Sequence, residues 1–226
     1  MEKDSAHAHK WGSPWIDQMG IFLLTKQEQQ LLWQACQDLN PELIKPLQLW
    51  KDVEQYIQNN GTCFFKLSTA SSKDVTLDDG KGPSCKADSV ERLFKALTRS
   101  FRIMEYLEDD KIDYAIVLTK WNDKIDFKKE YRCFVVDGVC EAISHMDDCQ
   151  DPSPEIKTLI HQYIDQHKEM FPESAVALDL CVTNDSEIIF IEFNPIDEEL
   201  DSYGIIDRNV QISEKMYAML QQPSKF

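Results

Sequence analysis

The fold is decided by the stretch VALDLCVTNDSEIIFIEFNP, residues 176–195. Residues 176–182 and 187–193 are rich in β-branched and aromatic side chains, which favour strands. Asn184-Asp185 lies between them and is a typical turn signal. The sequence therefore predicts an antiparallel hairpin whose second strand ends in Glu-Phe-Asn-Pro.

The predicted register of this hairpin brings acidic side chains together. A two-residue turn at Asn184 and Asp185 sets Asp179 opposite Phe190, with Glu192 as its diagonal neighbour on the same face. Strand alternation places Asn194 on the Glu192 side. Carboxylate and amide oxygens are ligands that magnesium takes together with nucleotide phosphates. The alternative is a solvated polar sheet face, because a register change of one residue would separate Asp179 from Glu192.

A second hairpin is predicted earlier in the chain. Residues 131–136 and 139–145 read as strands, and Asp137-Gly138 between them favours a tight turn. That turn sets Arg132 opposite Ile143. The same face is predicted to carry Glu130, Phe134, Glu141 and His145. A charged residue in mid-strand has two interpretations here, a functional group or part of a solvent-exposed sheet surface.

Lys66 interrupts a short predicted strand, residues 63–67, just before a polar loop, residues 68–86. A cation on a strand followed by a flexible loop rich in hydroxyl groups, with Lys73 in it, suits the phosphates of a nucleotide. The alternative is an edge-strand lysine that discourages aggregation. The chain has no GxxxxGK[ST] loop and no GxGxxG turn, so neither a P-loop nor a Rossmann site is predicted.

The rest of the chain alternates between helical and strand patterns. Apolar residues at helical spacing predict four helices, residues 27–39, 47–57, 90–104 and 155–170, and a further strand is predicted at 114–118. Together with the two hairpins this gives an α+β fold with antiparallel strand pairs late in the sequence.

Composition excludes several classes of protein. The 226 residues carry 40 acidic against 24 basic side chains, a formal net charge of -16. Such a surface repels nucleic acid, and we expect no nucleic-acid partner. The seven scattered cysteines lack a CxxC pair and predict free thiols in a reducing compartment. No apolar stretch is long enough to span a membrane, so we expect no membrane association and a cytoplasmic location.

Several of these runs, taken together, resemble the cell division cycle protein 123 family, a divergent ATP-grasp clade. The matching runs follow family order across roughly two thirds of the chain: Phe65-Lys66-Leu67-Ser68, Ser72-Lys73-Asp74, Val117-Leu118-Thr119-Lys120-Trp121, Glu130-Tyr131-Arg132-Cys133-Phe134-Val135, Ala142-Ile143-Ser144 with Asp147, Asp179-Leu180, and Ile191-Glu192-Phe193-Asn194-Pro195.

The resemblance implies an ATP-grasp fold of two α/β lobes, with a nucleotide cleft between antiparallel sheets. We expect residues 1–113 to form an N-terminal lobe with the phosphate-side lysine and a mobile loop, and residues 114–226 to form a C-terminal lobe with the metal-binding strands.

The resemblance also implies roles for individual residues, with ATP and Mg²⁺ as cofactors. Asp179, Glu192 and Asn194 would hold magnesium, and no catalytic residue is assigned. The nucleotide would be bound by Lys66, Lys73, Val117, Leu118, Lys120, Trp121 and Arg132.

Three departures from the family pattern bear on the site. Thr119 stands where the family usually has Arg, and His145-Met146 stands where it has Gln-Arg. Both changes reduce the positive lining of the expected cleft. Glu192 replaces an Asp but keeps a hard oxygen ligand.

Three functions follow as hypotheses. The resemblance implies an ATP-dependent chaperone that helps to assemble eukaryotic translation initiation factor two through its gamma subunit, and an acidic surface fits a basic client. The alternative is an ATP-dependent carboxylate–amine ligase, in which magnesium and cations stabilise the transferred phosphoryl group. A chain that keeps the fold but has lost ATP binding is disfavoured, because Lys66, Arg132, Asp179, Glu192 and Asn194 are all retained.

Overall fold

A computed structural model describes residues 19–147, 150–194, 196 and 211–221. Within these the chain divides into two compact units, and the division falls between Trp121 and Asn122. The sequence placed the boundary eight residues earlier, between 113 and 114. The difference arises because the strand at residues 115–120 pairs with strands of the first unit, not with those of the second.

The first unit contains a four-stranded antiparallel sheet and four α-helices. In chain order its elements are β1 (Met19–Leu23), α1 (Lys26–Gln37), α2 (Gln48–Asn60), β2 (Cys63–Leu67), β3 (Lys86–Ala87), α3 (Val90–Leu97), α4 (Phe101–Leu107) and β4 (Ala115–Lys120), with a 3₁₀ turn at Pro41–Leu43. The strands lie in the order β1-β4-β2-β3.

The two faces of this first sheet differ in composition. One face, with Phe65, Leu67 and Leu118, packs into the hydrophobic core that the helices complete. Register places the alternate residues on the other face, which we call the open face, and none of them belongs to that core cluster. The open face is defined by Phe64, Lys66, Lys86, Val117 and Thr119.

The predicted helix at residues 90–104 is two helices in the structure. α3 ends at Leu97, and the Ser100 hydroxyl accepts a hydrogen bond from the backbone N–H of Ile103 to start α4. A serine that caps a helix competes with its continuation, which explains the break. Phe101, predicted on the apolar face, is consequently 61% exposed. Ser89 caps α3, where the sequence indicated Asp88.

The second unit is built on another four-stranded antiparallel sheet. Its elements are β5 (Glu130–Val136), β6 (Val139–His145), α5 (Pro154–His167), β7 (Ala175–Val182), β8 (Ile188–Asn194) and α6 (Glu214–Leu220), with 3₁₀ turns at Phe127–Lys129 and Lys168–Met170. The strand order is β6-β5-β7-β8. Both predicted hairpins are present.

The β5–β6 hairpin has the predicted turn but a different register. Asp137 and Gly138 both have positive φ, 51° and 77°, as a tight hairpin turn requires. Beyond the turn one extra residue, Glu141, bulges from β6, so Arg132 lies opposite Ser144 and not Ile143. The predicted companions Glu141, Ile143 and His145 therefore do not share the face of Arg132.

The β7–β8 hairpin differs from the prediction twice, by one residue each time. The turn has three residues, with Thr183 N–H donating to the carbonyl of Glu187 and Ser186 at φ 61°. Ile191 is then an extra residue in β8, so Leu180 pairs with Phe190 but Asp179 pairs with Glu192. Two shifts restore the face that one shift would have lost, and Asp179 meets Glu192 directly, where the sequence predicted a diagonal contact with Phe190 opposite.

The last described helix, α6, covers the turn end of the second sheet. Met216 and Leu220 are buried against Phe134, Val136, Ala142 and Ala177. At the start of α6 the Ser213 backbone N–H and hydroxyl both donate to the bulged Glu141, at 2.7 and 2.6 Å. Lys215 contacts both carboxylate oxygens of Asp137 at 2.7 Å.

Two expectations from composition can be compared with the described residues. The six cysteines among them, Cys36, Cys63, Cys85, Cys133, Cys140 and Cys181, are free thiols, as predicted. Within the same part of the chain no helix combines the length and the apolar character that crossing a membrane needs.

Candidate nucleotide and metal site

A buried ion pair lies at the centre of the second sheet. Arg132 on β5 pairs with Asp179 on β7, and the Arg132 Nε and one terminal nitrogen donate to the two carboxylate oxygens at 2.7 and 2.6 Å. The side chains are only 6% and 5% exposed. This two-point geometry is the strong form of an arginine–carboxylate contact, and it holds both groups in fixed orientations.

Asn194 and Glu192 complete this group of polar side chains. The Asn194 Nδ2 donates to an Asp179 carboxylate oxygen at 3.1 Å. Glu192 lies directly opposite Asp179 on the neighbouring strand. We call this surface of the sheet the polar face, defined by Arg132, Ser144, Asp179, Glu192 and Asn194.

The three residues predicted as metal ligands are thus adjacent on one face of the sheet, and their donor set fits magnesium. The amide nitrogen of Asn194 is turned to Asp179, so the other side of the amide group presents its oxygen. In the described part of the chain, no group of three or more His, Cys, Asp and Glu side chains is arranged to hold a metal ion. A magnesium site here must therefore draw on the Asn194 oxygen and on oxygens of a ligand such as phosphate.

Two more buried polar residues share this side of the sheet, and the sequence did not single them out as site residues. Glu130 precedes Arg132 by two positions on β5 and is 4% exposed. Ser144 lies opposite Arg132 and is 0% exposed. The spacing of two in Glu-Tyr-Arg would have identified Glu130, whereas Ser144 depends on the bulge at Glu141.

A thiol next to this group is chemically inert. Burial raises the pKa of Cys133 well above its usual value, and the adjacent Cys140 raises it further. A thiol with such a raised pKa stays protonated at neutral pH. Cys133 therefore serves as packing on the opposite face of the sheet, and it is not a nucleophile or a metal ligand.

Lys66 and Val117 face each other across β2 and β4 on the open face of the first sheet. Lys66 is half-buried, between the fully buried Phe65 and Leu67. Leu118 lies on the other face with its side chain in the core, so only its backbone can border a ligand. Lys120 is exposed at the end of β4.

Trp121 follows β4 and is held at both the backbone and the side chain. Its N–H donates to the carbonyl of Thr62 at 2.9 Å, and the Lys86 ammonium lies 4.7 Å from its ring centre. Lys86 is on the open face, opposite Phe64. The sequence placed Lys86 at the end of a loop, because a two-residue strand after a long loop leaves no periodic signal.

A pocket of about 280 Å³ lies beside this contact, within the first unit. It is lined by Thr62, Lys81, Lys86, Asp88 and Arg92. Lys81 forms an ion pair with Asp88 at 2.6 Å, and Arg92 is bound to Asp79. The cations of this pocket are therefore largely matched by carboxylates of the same unit.

Lys73, the other predicted phosphate ligand of this unit, is exposed in the loop between β2 and β3. Lys66, Lys73, Val117, Leu118, Lys120 and Trp121 thus belong to the first unit. The second unit contributes Arg132, Asp179, Glu192 and Asn194.

Comparison with known families gives an independent view of the chain. Residues 26–220 match a family model described as an ATP-grasp domain, the third family of its clade. The structure is similar to that of Cdc123 from Schizosaccharomyces pombe, with a TM-score of 0.67 over 99% of this chain and 97% of that one, at 16% identity. Together these findings confirm the predicted ATP-grasp fold and the resemblance to the cell division cycle protein 123 family.

Two curated proteins are also similar in sequence, and both are named translation initiation factor eIF2 assembly protein. The one from Candida albicans is 28% identical over 164 residues, which cover 63% of this chain and 47% of that protein. The one from Dictyostelium discoideum is 28% identical over 166 residues, 66% of this chain and 42% of that protein. The match spans less than half the length of either relative.

Proposed function

The chain belongs to this ATP-grasp domain family, and from that premise we propose that it binds ATP with magnesium and acts as an assembly factor for a protein client. The group formed by Arg132, Asp179 and Asn194, with Glu192 opposite, is the observation that supports this most directly. It combines oxygen ligands for a metal with a cation for phosphate on one rigid sheet.

In this proposal Asp179, Glu192 and Asn194 hold the metal ion. Magnesium, when bound, neutralises charge on the outer phosphates of the nucleotide. Arg132 orients Asp179 through two hydrogen bonds, and its guanidinium has further N–H groups of a kind suited to phosphate oxygens. Asn194 fixes the other side of the Asp179 carboxylate.

The first unit contributes cations and an aromatic ring. Lys66 on the open face and Lys73 in the following loop contact the phosphates. The end of β4, from Val117 to Trp121, borders the adenine through its backbone and the Trp121 ring. Lys66 projects from a strand whose neighbouring side chains are buried, so its position is fixed while its charge remains accessible.

The client is a protein with a basic surface, which complements the net charge of -16. The names of the two curated relatives point to translation initiation factor two, and we propose its gamma subunit as the component contacted. Such a client implies a cytoplasmic location. A co-precipitation of the purified gamma subunit, with and without ATP and magnesium, tests this step; no capture under either condition would remove that client.

Isothermal titration with ATP, in magnesium and again with the metal chelated, tests the proposed site. Glu192→Ala should abolish magnesium-dependent ATP binding and leave the fold intact, because Glu192 is only half-buried. Glu187→Ala is the matched control, since that glutamate lies near the hairpin turn with a half-exposed side chain paired to Lys124. Unchanged affinity in Glu192→Ala, or equal losses in both variants, would refute the metal assignment.

A second titration separates phosphate contacts from adenine contacts. Lys66→Ala should weaken ATP binding about ten- to a hundredfold, the equivalent of one hydrogen bond to a charged group. AMP lacks the outer phosphates and should lose much less. Lys51→Ala, at an exposed position of α2, serves as the control. Equal losses for ATP and AMP would remove Lys66 from the phosphate site.

Arg132 needs a conservative substitution, because its alanine variant would leave Asp179 buried without its cation. Arg132→Lys keeps the charge and loses the planar fork, so we expect weaker ATP binding, again with a smaller effect on AMP. Formation of ADP or phosphate during these titrations in the presence of candidate acceptors would favour a ligase over an assembly factor.

A further inference from the structure

The loop between β2 and β3 is fixed on both sides of Lys73. Immediately before it, the carbonyl of Ser72 accepts a hydrogen bond from the Ser84 hydroxyl. Immediately after it, the Asp74 carboxylate accepts from the Ser100 hydroxyl at 2.7 Å and from the Arg102 backbone N–H at 3.2 Å. The sequence predicted a mobile loop, whereas the backbone on either side of Lys73 is tied to the unit.

The anchor for Asp74 exists because the helix at residues 90–104 is broken. Ser100 lies at the break and is 2% exposed. Its hydroxyl oxygen accepts from the Ile103 N–H at 3.2 Å, and its only proton goes to Asp74. A buried hydroxyl with both roles occupied has one orientation, so it fixes the carboxylate that it contacts.

A second anchor holds the far part of the same loop. The Arg92 guanidinium, 4% exposed, donates to Asp79 and to the carbonyls of Gly82 and Pro83. Arg92 and Ser100 belong to the same pair of helices, α3 and α4. The loop is therefore held along its length, and the exposed Lys73 extends from a backbone that has little freedom.

We propose that Asp74 is a positioning residue for ATP binding, which holds Lys73 where its ammonium meets the outer phosphates. This inference rests on the proposed function. A lysine on a free loop would lose rotational and backbone freedom on contact with phosphate, whereas a fixed backbone has already lost the larger part of it. Asp74 carries a negative charge next to a phosphate ligand, which is unfavourable unless the residue is needed for position.

A double-mutant cycle on ATP affinity in magnesium tests this inference. Lys73→Ala and Asp74→Ala should each weaken ATP binding roughly three- to thirtyfold, and the double variant should be no weaker than Lys73→Ala alone. AMP should be affected little by either. Independent losses that multiply in the double variant would show that Asp74 does not act through Lys73.

Charge makes the test sharper, because removal of a carboxylate should by itself strengthen the binding of an anion. Asp78→Ala is the matched control: it removes one charge from an exposed position of the same loop, where no hydrogen bond within the described residues depends on it. We expect unchanged or slightly tighter ATP binding there. Should Asp74→Ala fail to fold, Asp74→Asn replaces it, since the amide keeps one of the two acceptor oxygens.

The outcomes also separate this inference from the proposed function. If the wild-type protein does not bind ATP with magnesium, the proposed function fails and the role of Asp74 fails with it. If the wild type binds but either Asp74→Ala or Lys73→Ala leaves the affinity unchanged, only the positioning role is overturned.

Discussion

The two sheets of this molecule hold their central charges in different ways. In the first sheet Lys66 is half-buried on an open face that lies outside the core cluster. In the second sheet Arg132 and Asp179 are 5% and 3% exposed and bind each other at two points. The charge of the first sheet is therefore an addition to a finished fold, whereas the charges of the second are part of the fold itself.

The largest effect is expected where the ion pair of the second sheet is broken. Asp179→Ala leaves the Arg132 guanidinium buried without its carboxylate and should lower the free energy of unfolding by about 3–5 kcal/mol. Urea denaturation followed by circular dichroism measures it. Asp165→Ala is the control, since its pair with Lys168 is exposed and should contribute about 1 kcal/mol or less. Similar values for the two variants would contradict the comparison between the sheets.

A smaller effect is expected where α6 joins the second sheet. Ser213→Ala removes a hydroxyl that donates to Glu141 and accepts from the Met216 N–H at 3.1 Å, and it should cost about 1 kcal/mol. The same denaturation experiment measures the loss. Ser153→Ala, which removes the corresponding cap of α5, shows how much belongs to capping alone. A loss no greater than that in Ser153→Ala would mean that the contact with Glu141 adds nothing.

Removal of the lysine charge from the first sheet should hardly change stability. Lys66→Met keeps the apolar stem that packs on the strand, and the free energy of unfolding should change by about 0.5 kcal/mol or less. ATP binding should nevertheless weaken as in Lys66→Ala. A destabilisation as large as that of Asp179→Ala would show that Lys66 belongs to the fold in the same way as Arg132.

The smallest effect concerns acid conditions. Hydrogen bonds from Arg92 lower the pKa of Asp79 from 3.8 to about 2. Since the folded protein keeps this carboxylate charged where the unfolded chain is protonated, its contribution is present above about pH 4 and is lost as pH falls towards 2. Asp79→Asn should flatten the loss of stability between pH 4 and 2, measured as urea midpoints. An acid profile unchanged from the wild type would contradict the ion pair.

Much of the fold could be predicted because local signals carry it. Asp137-Gly138 indicated its turn correctly, and the residue types of β5 to β8 indicated strands in the right places. The resemblance gave the ATP-grasp fold, which the family model supports. These features depend on neighbours in sequence, so the printed residues contain them.

Register was predicted less well, because it depends on bulges. Glu141 and Ile191 each add one residue to a strand, and nothing in their identity distinguishes them from paired strand residues. The convergence of Asp179 and Glu192 was expected, but from a different pairing. The assignment of these residues to magnesium remains a prediction that the titrations test.

The helix break at Ser100 shows a different limit of sequence reasoning. Apolar residues keep helical spacing through Thr98 and Ser100, so the pattern predicts one helix. The serine hydroxyl has two partners in the structure, and one of them, Asp74, is 26 residues away in sequence. A contact of that range leaves no trace in local periodicity, and the order that it gives to the loop could not be predicted.

The separation of Arg132 from Asp179 has a consequence for the newly made chain. These residues are 47 positions apart, and at about 5–20 residues per second Asp179 is synthesised roughly 2–10 s after Arg132. The β5–β6 hairpin can pair locally in that interval, but its arginine has to stay in water until β7 arrives. A ribosome that paused between the two strands would therefore hold a hairpin unable to bury its central side chain, which is a state that chaperones and proteases can recognise.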